Sequence, residues 1–79
     1  MRFIATFHTH LSAMMTDRAL KKRGIPSQMA PVPRALSSSC GTCVRFDWED
    51  DCRLLMDEDV EALYREEAEG AYTLLLQNE

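Results

Sequence analysis

The hydrophobic period of this chain switches between two and about 3.6 residues in the order strand, helix, strand, strand, helix, strand, an order that few folds accept. In Arg2 to Phe7, Phe3, Ala5 and Phe7 alternate with Ile4 and Thr6, and apolar character on both faces predicts a central strand. Thr9 is placed to cap a helix whose Leu11, Met14, Met15 and Ala19 fall on one stripe. Gly24 is expected to stop that helix in the left-handed conformation, with Ile25 folding back onto it. Gln28 to Val32 predicts a second strand, which Pro26, Pro31 and Pro33 confine to a sheet edge. A serine-rich turn ending in Cys40-Gly41 leads to a third strand, Thr42 to Phe46. Asp47 is expected to cap a second helical region carrying Trp48, Cys52, Leu55, Val60, Leu63 and Tyr64, as one long helix or two broken near Asp57. Gly70 ends that region, and Ala71 to Leu76 is the last strand.

The expectation is an α+β, ferredoxin-like β-α-β-β-α-β sandwich, a four-stranded antiparallel sheet with both helices on one face. A chain of 79 residues has room for one hydrophobic core, so residues 1–79 read as a single domain with a core of about 3–76. The apolar share of 46% makes that core affordable and argues against disorder. A net charge of −4 argues against nucleic acid, whose phosphates are bound by Lys and Arg. No apolar run approaches the roughly 20 residues of a membrane span. Three cysteines cannot all pair, and nothing resembles an export signal, so reduced thiols in the cytoplasm are expected.

The expected topology gathers His8, Thr9, His10, Arg34 and Cys40 at one edge and sends Cys52 towards the other. Cysteine is the strongest nucleophile present, and the thiolate is its reactive form. Arg34, the start of the first helix and the donors of Ser37, Ser38, Ser39 and Gly41 would each stabilise a sulfur anion at Cys40. Cysteine is also a common apolar filler, a reading that suits Cys52 and Cys43 but not a polar Ser-Ser-Ser-Cys-Gly turn. Cys40-Gly41-Thr42-Cys43 is formally C-x-x-C, yet it runs into a strand rather than opening a helix as in thioredoxin-type enzymes. His8, His10, Cys40 and Cys43 could in principle hold zinc, but a lone C-x-x-C lacks its matching pair, and no metal or cofactor is assigned.

Three segments resemble one known group: Thr6-Phe7-His8-Thr9-His10, Ala19-Leu20-Lys21-Lys22-Arg23-Gly24-Ile25-Pro26, and Pro31-Val32-Pro33-Arg34-Ala35-Leu36-Ser37-Ser38-Ser39-Cys40-Gly41. Together they resemble the selenium/sulfur carrier protein-like family, the DUF3343 domain, with the Pro-Arg-x-x-Ser-Ser-x-Cys-Gly segment as the specific part. The resemblance implies that Cys40 is the key cysteine, with Arg34 and Ser37 to Gly41 as its setting. It implies a carrier rather than a stand-alone enzyme, holding sulfur or selenium on Cys40 as a persulfide or selenenylsulfide. The partners then expected are a cysteine desulfurase or selenocysteine lyase upstream and a selenium- or sulfur-accepting enzyme downstream. Cys43 departs from the aliphatic residue expected there and makes a candidate resolving thiol. The acidic stretch from Arg65 to Glu69 is a second departure. The competing readings are a non-catalytic interaction module in which Cys40 is incidental, and a small thiol-redox or zinc-binding domain.

Overall fold

A strand that is apolar on both faces needs a hydrogen-bonded partner on each edge, and β1 (Arg2–Phe7) has both in the computed structural model, which describes residues 1–56 and 59–78. After β1 come α1 (His10–Lys22), β2 (Ser27–Pro31), β3 (Thr42–Asp47), a 3-10 turn (Cys52–Leu55), β4 (Val60–Ala68) and β5 (Ala71–Gln77). They form one five-stranded sheet in the order β2-β3-β1-β4-β5, with every neighbouring pair antiparallel.

The ends of α1 follow from local sequence. The Thr9 hydroxyl accepts the Ser12 N–H at 3.1 Å, satisfying one of the unpaired donors of the first turn. At the other end Gly24 adopts φ 78°, the Ile25 N–H donates to the Leu20 carbonyl at 3.0 Å and the Gly24 N–H to Lys21 at 3.0 Å. This is a Schellman motif, and Ile25 is buried by it. The buried stripe differs from the one expected. Ala13, Thr16, Asp17 and Leu20 face the sheet, whereas Leu11 and Met15 point to solvent. Asp17 tolerates burial because its carboxylate accepts from the Ser27 hydroxyl at 2.7 Å and from Lys21 at 2.9 Å.

The second helical region is the main correction. Among the described residues, five strands and one α-helix replace the four-stranded ferredoxin-like sandwich with two helices. Asp47 closes β3 instead of capping a helix, Cys52–Leu55 forms only a 3-10 turn, and Val60–Ala68 is a strand. The expected break near Asp57 lies outside the described residues. Glu, Ala, Leu and Arg in Val60–Ala68 favour a helix locally, but that preference is worth only tenths of a kcal/mol per residue, roughly 0–0.7. Pairing along the free edge of β1 outweighs it, placing Leu63 opposite Ala5 and Tyr64 opposite Ile4. The segment expected as the fourth strand becomes the fifth, joined to β4 through Gly70 at φ 79°.

One face of the sheet carries the core. Phe3, Ala5, Phe7, Val44, Phe46, Val60 and Leu63 pack against Ala13, Leu20 and Ile25 of the α1 region and Cys52 of the crossover. The rings of Phe3 and Phe46 lie 5.6 Å apart. Among the described residues no helix covers the opposite face, where Ile4, Thr6, Cys43 and Ala62 are nonetheless buried. Arg45 and Arg2 reach Glu66 at 3.8 and 4.0 Å beside them. Among the described residues no helix is long and apolar enough to cross a membrane.

Candidate functional site

Residues 32–41 leave the sheet at β2 and return at β3, and Cys40 lies at the base of that excursion. The Val32 N–H donates to the Gly41 carbonyl at 3.1 Å, continuing the β2–β3 pairing one step past Pro31 and Thr42. Gly41, at φ 75°, supplies the left-handed residue that lets the chain re-enter the strand. At the tip, the Leu36 N–H closes a turn onto Pro33 at 3.0 Å. Arg34 stands in that turn, exposed, with no hydrogen bond or ion pair to any described residue. The expected guanidinium partner for Cys40 is therefore at the tip, whereas the sulfur is at the base.

Polar contacts fasten the loop to the end of β1. The Ser38 hydroxyl donates to the Phe7 carbonyl at 3.0 Å and lies 3.9 Å from the Cys40 sulfur. The Cys40 thiol donates to the Thr42 carbonyl at 3.5 Å. Cys40 is partly buried and packs against the rim of the core, so its sulfur is sheltered rather than held out on a loop tip. His10 joins the same neighbourhood through an Nδ1 contact to the Thr42 hydroxyl at 3.5 Å. Ser37 is exposed beside these residues.

Glu61 is the residue that sequence reasoning missed. Its carboxylate accepts the Ser39 hydroxyl at 2.6 Å and the Ser39 N–H at 3.2 Å, and meets His8 Nδ1 at 3.3 Å. Burial opposes charge on Glu61, but the donors of Ser39 and Ser38 and the nearby His8 outweigh it, holding the carboxyl below the usual range. Its position comes from a β-bulge. Thr6 pairs with Ala62 and Phe7 with Val60, leaving Glu61 as the extra residue, thrown towards the loop. Asn78 steadies the bulge by donating its N–H to the Glu61 carbonyl at 2.9 Å and its side-chain amide to Val60 at 3.0 Å. Nothing local in the sequence marks Glu61 while residues 60–68 are read as helix; a strand assignment alone brings it to the end of β1.

A cleft opens between this loop and the β4–β5 end, lined by His8, Ser38, Ser39, Glu61, Tyr64 and Asn78 among others. Cys40 is not part of its lining. Cys43 is fully buried on the open face of the sheet, its thiol donating to the Pro31 carbonyl at 3.6 Å. Burial pushes the Cys43 thiol up, Arg45 partly offsets this, and the neighbouring Cys40 sulfur adds a last upward contribution. Opposite it, the Thr6 hydroxyl is buried with no hydrogen-bond partner among the described residues. Cys52 is buried beside Phe3 and Met1, at the far end of β1 from Cys40, and burial raises its thiol too.

The expected gathering of His8, Thr9, His10 and Cys40 is largely what the fold produces, with Arg34 standing apart. The four residues weighed as zinc ligands do not converge: His8 turns to Glu61, His10 to Thr42 and Cys43 to Pro31. Among the described residues no group of three or more His, Cys, Asp or Glu side chains is arranged to hold a metal ion. All three cysteines are free thiols. The family model described as "Putative Se/S carrier protein-like" matches residues 2–64, from the start of β1 into β4. No curated protein and no solved structure matches the chain.

Proposed function

This chain belongs to the Se/S carrier protein-like family, and from that premise we propose that Cys40 carries sulfur or selenium between two enzymes. The observation that supports it is the setting of the Cys40 sulfur, beside Ser38 at the base of a loop held to the sheet by directional polar contacts. In the loading step the Cys40 thiolate attacks the terminal sulfur of a donor persulfide. A Cys40–sulfur bond forms, the donor's sulfur–sulfur bond breaks, and the donor leaves as its thiolate. In the unloading step an acceptor nucleophile attacks the terminal atom and Cys40 leaves as thiolate. With selenium the carried species is a selenenylsulfide. A cysteine desulfurase or selenocysteine lyase is the donor on this reading, and a selenium- or sulfur-accepting enzyme the acceptor. The chain then works as a single cytoplasmic carrier domain, without a metal or cofactor.

Ser38 and Glu61 hold the loop down, and lifting it exposes Cys40 to the donor. Arg34, at the loop tip, acts on the approaching partner rather than on the sulfur. Cys43 is the candidate resolving thiol: its attack on the inner sulfur of the Cys40 persulfide forms a Cys40–Cys43 disulfide and expels hydrosulfide. A Cys43→Ser variant should then keep its persulfide longer and release less sulfide than the unchanged chain.

The test of the carrier reading is intact-mass spectrometry after incubation with a cysteine desulfurase and cysteine. One added sulfur, lost in Cys40→Ser, is the expected result; a mass left unchanged both by the desulfurase and by inorganic polysulfide overturns the reading. Partial burial of the Cys40 sulfur favours a second reading, an interaction module in which the cysteine is structural. Retained partner binding and retained cellular phenotype in Cys40→Ser would select that second reading.

A further inference from the structure

The outward face of α1 carries exposed apolar side chains followed by cations. Leu11, Met15, Arg18 and Lys22 follow one another at helical spacing along the side turned away from Ala13, Thr16, Asp17 and Leu20. Leu11 is 59% exposed and Met15 61%, so neither contributes to the core. Arg18, Lys22 and Arg23 form no ion pair among the described residues, whereas Lys21 is held by Asp17. Of the thirteen acidic side chains, eleven fall in residues 47–69, while four of the nine cations fall in residues 18–23. The apolar half of the stripe starts next to the site. His10 precedes Leu11 and touches the Thr42 hydroxyl, while the Cys40 thiol donates to the carbonyl of the same threonine.

The geometry points to this stripe as the docking surface for the protein that loads Cys40, a persulfide-bearing donor with an apolar contact ringed by acidic side chains. The inference rests on the carrier reading and adds the chemistry of the partner to it. Leu11, one residue on from the His10 that touches Thr42, and Met15 a turn further give non-directional contact, and methionine adapts to an irregular partner surface. Arg18, Lys22 and Arg23 add charge complementarity, which sets encounter rate and register more than final affinity. A second copy of the same face would be repelled by these cations.

The experiment follows sulfur on Cys40 in the full chain by intact mass, with two sources: a cysteine desulfurase supplied with cysteine, and inorganic polysulfide. The variants are Arg18→Glu/Lys22→Glu and Leu11→Ser/Met15→Ser, all at exposed positions, with thermal melts to show that they fold. Loading from the desulfurase should slow roughly tenfold in each and, in the unchanged chain, fall steeply with added salt. Loading from polysulfide should be the same in all three proteins. Variants that load from the desulfurase at the original rate overturn the docking surface. Sulfur taken from polysulfide but never from the desulfurase by the unchanged chain overturns it as well, leaving the carrier reading standing. No sulfur on Cys40 from either source overturns both. A dimer of the unchanged chain in sedimentation, dissolved by Arg18→Glu/Lys22→Glu, overturns the inference in favour of self-association.

Discussion

At one end of β1, residues 32–41 are fastened to the sheet by hydrogen bonds from Ser38 to Phe7 and from Ser39 to Glu61. At the other end, Cys52–Leu55 is fastened by burial, with Cys52 in the core that contains Phe3 and with Leu55 packed against it. Each segment brings a cysteine to the same strand, by opposite means. A hydrogen bond exchanged for water costs little net free energy, about 1 kcal/mol, whereas exposing a buried side chain costs about 1.5–3 kcal/mol. Three such bonds and the packing of Cys40 on the core rim hold the first end, and burial of Cys52 with Leu55 packed beside it holds the second. On the carrier reading, the cysteine that meets a partner is the one at the polar end, and the one that fills space is at the apolar end.

The largest expected effect separates the two cysteines. Cys40→Ser should abolish sulfur uptake, while Cys52→Ser, although less stable, should still take up one sulfur by intact mass. A folded Cys52→Ser that takes up none would break the contrast. Next in size is the core between the two ends. Phe46→Ala removes a fully buried ring stacked near Phe3 and should cost about 3–5 kcal/mol in chemical denaturation. Cooperative loss of both ends together is the expected pattern.

A smaller effect belongs to the loop latch. Glu61→Gln keeps the shape but weakens charge-assisted bonds to Ser39, at about 1 kcal/mol. Alkylation of Cys40 should quicken and that of Cys52 should not. The Glu61 carboxyl lies below its usual range in the folded chain, so its charged form stabilises the fold above the unfolded value of about 4.3. That contribution should disappear as pH falls through the lower folded value. The stability difference between Glu61→Gln and the unchanged chain should therefore be full near neutrality and close in acid; a difference that persists in strong acid would assign the effect to shape instead. The smallest effect is expected at Arg34, where replacement by Ala should change stability by no more than about 0.5 kcal/mol and leave Cys40 alkylation as it was. A marked slowing would restore the guanidinium to the sulfur's surroundings.

The features legible in the sequence are those the chain encodes locally. The span of β1, the Thr9 cap and the Gly24 stop each depend on a few adjacent residues, and each holds. The stripe of α1 was not legible, because Asp17 enters the interface through partners on Ser27 and Lys21 that hydrophobicity does not register. Val60–Ala68 was not legible for a related reason: its state is decided by the free edge of β1, far away in sequence. Once that strand was read as helix, Glu61 could not be seen as part of the site. That Cys40 belongs to a polar loop before β3 is legible in its neighbours, but its place at the base of that loop depends on the pairing of Val32 with Gly41.

The strand that opens the chain must wait for one of its two neighbours. β1 takes β4 as partner only after residues 8–59 have been threaded past, a closure whose entropy is lost before any contact repays it. Refolding should accordingly be slower than for a helical bundle of this size, and stopped-flow traces are the way to see it. A chain released before residue 60 is made would present the bare side of β1 to whatever strand comes by.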